Sequence, residues 1–138
     1  MQPYRIFLTL IFAGYGCAAA AEQSDSVGST KLPAGAVLMC GEHVVGDASA
    51  KPIHIDWQAF GLHEDMDKVA QFYQVQFGQP TARDDIGRYT WRSKGAHSEL
   101  IYAVQPSSTA GPWSGCSTDS SRFKTIVLIS KGIWATKP

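Results

Sequence analysis

The sequence predicts an α+β domain: about five strands in one mainly antiparallel sheet, with a single helix packed on one face. Three observations carry that expectation. Only one stretch of the mature chain, 64–77, repeats its apolar residues at helical spacing. Five other stretches are short, β-prone and bounded by turn residues, and the first 35 residues have the composition of a leader and a tether.

The leader has a positive start at Arg5, an apolar run from Ile6 to Ala13 that is too short to span a bilayer, and small residues ending in Ala19-Ala20-Ala21 before Glu22. It predicts export, and two ways of being cut. Cleavage after Ala21 removes residues 1–21 as a signal peptide and releases a soluble chain, periplasmic or secreted. Alternatively, residues 1–16 are a lipoprotein signal and Cys17 carries the lipid, which anchors the chain in the envelope. Gly14 and Tyr15 fit that second pattern poorly, whereas the Ala-, Ser- and Gly-rich stretch that follows suits a tether. Residues 22–35 are therefore expected to be a flexible linker, and residues 36–138 a single α+β domain.

Without the leader, eleven basic side chains face twelve acidic ones, scattered along the chain. No basic run is present that could displace counterions from a phosphate backbone, so no nucleic-acid partner is expected. Membrane contact is expected only through a lipid at Cys17. The chain contains no Asn, which excludes N-linked glycosylation.

Export leaves Cys40 and Cys116 as the remaining thiols, and in an oxidising compartment two cysteines are expected to pair. Their bond closes a loop of about 77 residues, for which the chain-entropy model gives on the order of 4 kcal/mol. A reactive thiol is the rival reading. Neither cysteine has a CxxC partner, and Cys40 follows the apolar run Val37-Leu38-Met39.

Along the domain, Ala36 to Val45 reads as a strand between Gly35 and Gly46, followed by a polar turn over residues 47–52. Ile53 to Phe60 alternates, with Ile53, Ile55, Trp57 and Ala59 on one side and His54, Asp56, Gln58 and Phe60 on the other, which predicts a half-buried strand. The helix comes next. Met66, Val69, Ala70, Phe72, Tyr73 and Phe77 form its apolar stripe; acidic residues at 64, 65 and 67 suit its N-terminus, and Gly78 with Pro80 ends it. Ile86–Arg92 and Ser98–Val104 flank a Lys94-Gly95 turn as a hairpin. Phe123 to Ser130 is nearly all apolar, as a strand covered on both faces requires.

The long segment from Gln105 to Arg122 contains Pro112, Trp113 and Cys116. Loops of this length are usually functional or disordered, and here a disulfide from Cys116 to the first strand is a third explanation; Trp113 is either a plug on the sheet or an anchor for a partner. His54 and Asp56 are the other candidate ligand-binding residues, because positions two apart on a strand share a face; His63 lies just beyond. Their spacing matches no metal motif, and the plain alternative is a solvated polar face, with His43 and His97 as exposed strand residues. Ser121-Arg122-Phe123-Lys124 fits Ser-x-x-Lys but runs into a strand, and its Ser-Asp-Asn partner motif cannot exist without Asn. No catalytic residue, metal site or cofactor is assigned, since no nucleophile elbow, phosphate loop or dinucleotide fingerprint is present. The sequence thus predicts an exported, non-enzymatic domain that binds a protein partner or small ligand. The alternative is a small metal-dependent or acid/base hydrolase built on the His54/Asp56 face.

Overall fold

The structure is a computed structural model that describes residues 22–46, 54–109, 116 and 118–134. Its elements are β1 (Val37–Val45), β2 (His54–Leu62), α1 (Met66–Phe77), β3 (Ala82–Arg83), β4 (Tyr89–Lys94), β5 (Ser98–Pro106) and β6 (Thr125–Ile133). Two 3₁₀ turns, Ser107–Thr109 and Ser120–Arg122, lie between the last two strands. The strands form one sheet in the order β1-β2-β6-β5-β4-β3, every neighbouring pair antiparallel. The architecture is α+β as the sequence predicts. It has one strand more than the five expected, because β3 is two residues long and too short for any periodicity to reveal.

The most apolar strand lies inside the sheet. β6 pairs with β2 on one side and β5 on the other, and Thr125, Ile126, Val127 and Ile129 are fully buried. The β4–β5 hairpin closes at Gly95, whose N–H donates to the Ser98 carbonyl at 2.7 Å. α1 begins two residues later than the sequence suggests, at Met66, and closes with the Gly78 N–H donating to the Gln74 carbonyl at 2.8 Å.

The helix packs on the face of β2 that carries His54, Asp56, Gln58, Phe60 and Leu62. Val69, Ala70 and Tyr73 of α1 meet Phe60 and Leu62 of β2, Trp91 of β4, Tyr102 and Val104 of β5, and Val127 and Ile129 of β6. Both faces of β2 are buried from Ala59 to Leu62, whereas its first five residues are only half-buried. The half-buried description therefore holds for one end of the strand. On the opposite face, Met39, Ala59, Phe123 and Ile126 form a smaller cluster with Cys40, Trp57, Cys116 and Leu128. Cys40 and Cys116 are joined as a disulfide, their Cα atoms 5.2 Å apart and thus within the ordinary range.

Residues 22–35 are not a flexible linker. Ser24 bridges Lys31, the Leu32 N–H donates to the Gln23 carbonyl at 2.8 Å, and Leu32 is buried in the helix-side core with Val27 packed against it. The anchor is Asp25, which is 3 % exposed. Its carboxylate accepts from the N–H groups of Gly28, Ser29 (3.0 Å) and Thr30 (3.1 Å), and from the Tyr102 hydroxyl at 2.9 Å. A buried carboxylate with this many donors is stabilised in place, and it holds Ser29 at φ 57°, in the left-handed region. Gly28 lies against the hydroxyl end of Tyr102, where a Cβ would collide with the phenol oxygen. The folded domain thus begins before residue 36. The leader 1–21, including the candidate lipidation residue Cys17, lies outside the described residues.

Candidate functional site

β1 and β2 are paired so that His43 stands opposite Asp56 and Val45 opposite His54. Cross-strand partners share a face, so the register gathers His43, His54 and Asp56 on the helix side of the sheet, at the end that α1 does not reach. His43 Nδ1 lies 2.5 Å from Asp56 Oδ1, and the His43 and His54 rings stack with centroids 5.5 Å apart. His54 Nδ1 is buried with no hydrogen-bond partner among the described residues. Lys131 of β6 stands opposite Asp56 on its other side. Beside this group an open cleft of about 490 Å³ is lined by Ser26, Val27, Leu38, Gly41, His43 and Gln58, and the Gln58 side-chain oxygen accepts from the Ser26 N–H at 3.0 Å.

The sequence-derived trio is therefore only two-thirds together. His54 and Asp56 do share a face, but His63 sits past the far end of β2, roughly 25 Å along the strand, with its ring against Phe123 at 5.2 Å. His43, read from sequence as a plain exposed residue, takes the third place. Its signal was present only in the hairpin register, which no single strand discloses. Among the described residues no three His, Cys, Asp or Glu side chains are grouped to hold a metal ion. Both partners of the His43–Asp56 pair are about half-exposed, so the pair adds little to stability.

The Ser121/Lys124 motif is pulled apart. Ser121 Oγ donates to Asp119 at 2.7 Å, a contact that with the Ser121 N–H lowers the Asp119 carboxyl below its ordinary range, while Lys124 Nζ reaches Asp65 at 3.1 Å. Trp113, the candidate anchor, lies outside the described residues. Among the described residues no helix is long and apolar enough to cross a membrane.

A second concave site lies where α1 ends over β4 and β5. Phe77, Trp91 and Tyr102 wall a cavity of about 230 Å³, Leu100 joins the lining, and Gln79, Thr81, Arg92 and Ser93 are its polar and charged residues. Phe77 and Tyr102 have ring centroids 4.9 Å apart, Phe77 and Trp91 6.5 Å. The polar atoms of the walls are already used: Trp91 Nε1–H donates to the Gly78 carbonyl at 2.9 Å, and the Tyr102 hydroxyl donates to Asp25. Burial, with Asp25 nearby, pushes the Tyr102 phenol well above its ordinary range and keeps it neutral. The sequence assigned Phe77 to the core. It is the last residue of α1, and it remains 39 % exposed. Comparison with models of protein families, with characterised proteins and with solved structures finds no match to this chain.

Proposed function

We propose that the chain is an exported, non-enzymatic domain that binds a small ligand, taking one apolar group of it into the cavity between the end of α1 and strands β4 and β5. One observation carries this reading: the cavity is walled by three aromatic rings whose polar atoms are satisfied within the protein, so a ligand group there meets apolar surface without stranding a donor or acceptor. Its volume suits a single ring or a short branched chain, with the remainder of the ligand beside Gln79, Thr81, Arg92 and Ser93. The disulfide supports the export part of the reading, since such bonds persist in oxidising compartments.

Indole is a suitable probe. Titrated into the protein and followed by nuclear magnetic resonance, it is expected to shift the Trp91 Nε1–H, Leu100 methyl and Thr81 signals with a dissociation constant at or below about 1 mM. Leu100→Trp, which fills the cavity, should remove those shifts. Shifts that survive Leu100→Trp, or that fall elsewhere, would overturn the proposal.

A second reading, hydrolysis at the β1–β2 face, is favoured by the short His43–Asp56 contact, which orients an imidazole as general bases are oriented. Stoichiometric zinc in protein from its own cells, lost on His43→Ala or His54→Ala, would select it over ligand binding.

A further inference from the structure

The two edges of the sheet are finished differently. At one, β3 is two residues long, Pro80 precedes it, and the exposed part of β4 beyond it carries Arg92 and Lys94. Short strands, proline, charge and β-bulges are the devices that block edge-to-edge pairing. At the other edge stands β1, nine residues long, which among the described strands pairs only with β2. It contains neither proline nor lysine, and of those devices it carries one bulge at Met39 and one carboxylate, Glu42. Val37 (46 % exposed), Leu38 (54 %), Val44 (38 %) and Val45 (65 %) are all open to solvent along it.

We propose that β1 is a homodimer interface, where a second copy of this chain adds its own β1 antiparallel about a two-fold axis at Gly41. The strand is complementary to itself in that register. Its bulge at Met39 shifts the pleat by one residue, as the pairing Leu38↔Phe60 followed by Cys40↔Ala59 records. Counted through the bulge, Glu42 then lies opposite Cys40, His43 opposite Leu38, and Val44 opposite Val37. Each of these pairs shares a face: Val37 and Val44 stand beside Gly61 and Ile55, which point away from the helix, and Leu38 and His43 beside Phe60 and Asp56, which point toward it. Moving the axis to Glu42 would set two carboxylates directly against each other, which is destabilising. The Gly41 axis avoids this and buries the exposed valines against one another, joining two six-stranded sheets into one of twelve.

The test is sedimentation velocity on the processed protein from its exported fraction, from about 1 to 200 µM, a range chosen for a modest interface. Dimer formation that strengthens with concentration is expected. Val44→Lys and Leu38→Lys should each weaken it at least tenfold, while Val75→Lys, on the exposed side of the helix (83 % exposed), should leave it unchanged. Circular dichroism of each variant separates lost pairing from lost folding, and Val37→Cys combined with Val44→Cys should give an intermolecular disulfide under oxidation. A monomer throughout, a dimer indifferent to both lysines, or no covalent dimer from the double cysteine variant would each overturn the proposal.

Discussion

The two faces of the sheet are covered by different means. On the helix side, α1 and residues 22–35 lie side by side, and the second of these is held by a buried carboxylate, Asp25, reaching into the core at Tyr102. On the other side Cys116 is bonded covalently to Cys40 of β1, and Phe123 packs in the same cluster. Each face also uses one glycine in the same way. Gly28 lets the backbone rest on Tyr102, and Gly61 lets the Phe123 ring rest on β2; a Cβ at either position would overlap the ring. Among the described residues α1 is the one α-helix, and it covers only part of one face. Irregular backbone around Leu32 and Phe123 covers more of the sheet, and such backbone stays down only if anchored.

Breaking the covalent anchor should have the largest effect. Cys40→Ser with Cys116→Ser is expected to lower stability by about 4 kcal/mol, the chain-entropy value for a cross-link over this separation, measured by urea unfolding at pH 7. Its local signature matters as much as its size. Amide exchange should quicken around Phe123 and the Ser120–Arg122 turn while the amides of Gly28, Ser29 and Thr30 stay protected. Exchange that quickens equally on both faces would show that the two covers are one cooperative unit.

Asp25→Ala is the converse experiment and should cost about 3 kcal/mol, because it strands three backbone N–H groups and the Tyr102 hydroxyl at once. Here the amides of 28–30 should lose protection, and proteolysis should begin within residues 22–35. Asp25→Asn should recover only part of the loss, since an amide has one acceptor oxygen where the carboxylate uses both.

The same contrast explains what could be read from the sequence. β2, α1, the β4–β5 hairpin and β6 announce themselves by period and by their Gly and Pro boundaries, and the disulfide follows from cysteine arithmetic. Residues 22–35 do not, because a segment rich in Ser, Gly and Ala has a linker's composition whether or not one buried Asp gathers its amides. The side of β2 facing the helix was equally hidden: both sides alternate cleanly, and His54, Asp56 and Gln58 dilute the one that carries Phe60 and Leu62. The association of His43 with Asp56 and the exposed ring of Phe77 depend on register and on where a helix stops. Both are tertiary facts.

Gly61→Ala and Gly28→Ala compare the two close approaches directly. Each methyl group must displace an aromatic ring, and overpacking of this kind costs about 2 kcal/mol. Gly28→Ala should also loosen the Tyr102–Asp25 hydrogen bond, so its effect should shrink when combined with Tyr102→Phe. Gly61→Ala and Tyr102→Phe, which act on opposite faces, should be additive. A double-mutant cycle read by thermal unfolding decides this, and coupling between Gly61 and Tyr102 above about 0.5 kcal/mol would contradict the independence of the two covers.

The smallest expected effect is a gain. Tyr73 is fully buried at the centre of the helix-side core, against Tyr102, Trp91 and Phe77, and its hydroxyl has no hydrogen-bond partner among the described residues. Burial, reinforced by Tyr102 and Asp25, raises its phenol far above the ordinary value of 10.0. Removing an unsatisfied buried hydroxyl relieves a desolvation penalty, so Tyr73→Phe should raise stability by about 1 kcal/mol at pH 7. The alkaline limb supplies an independent readout. Above the unfolded-state value near 10.0 the unfolded chain releases the Tyr73 proton while the native protein keeps it, so native stability falls as pH rises through that range. Tyr73→Phe should flatten this fall without abolishing it, because Tyr102, raised by the same burial, still contributes. If the variant were less stable than the parent at pH 7, the Tyr73 hydroxyl would have to be bonded in solution. The helix-side cover would then hold a second polar anchor beside Asp25, and its contrast with the disulfide-pinned face would sharpen further.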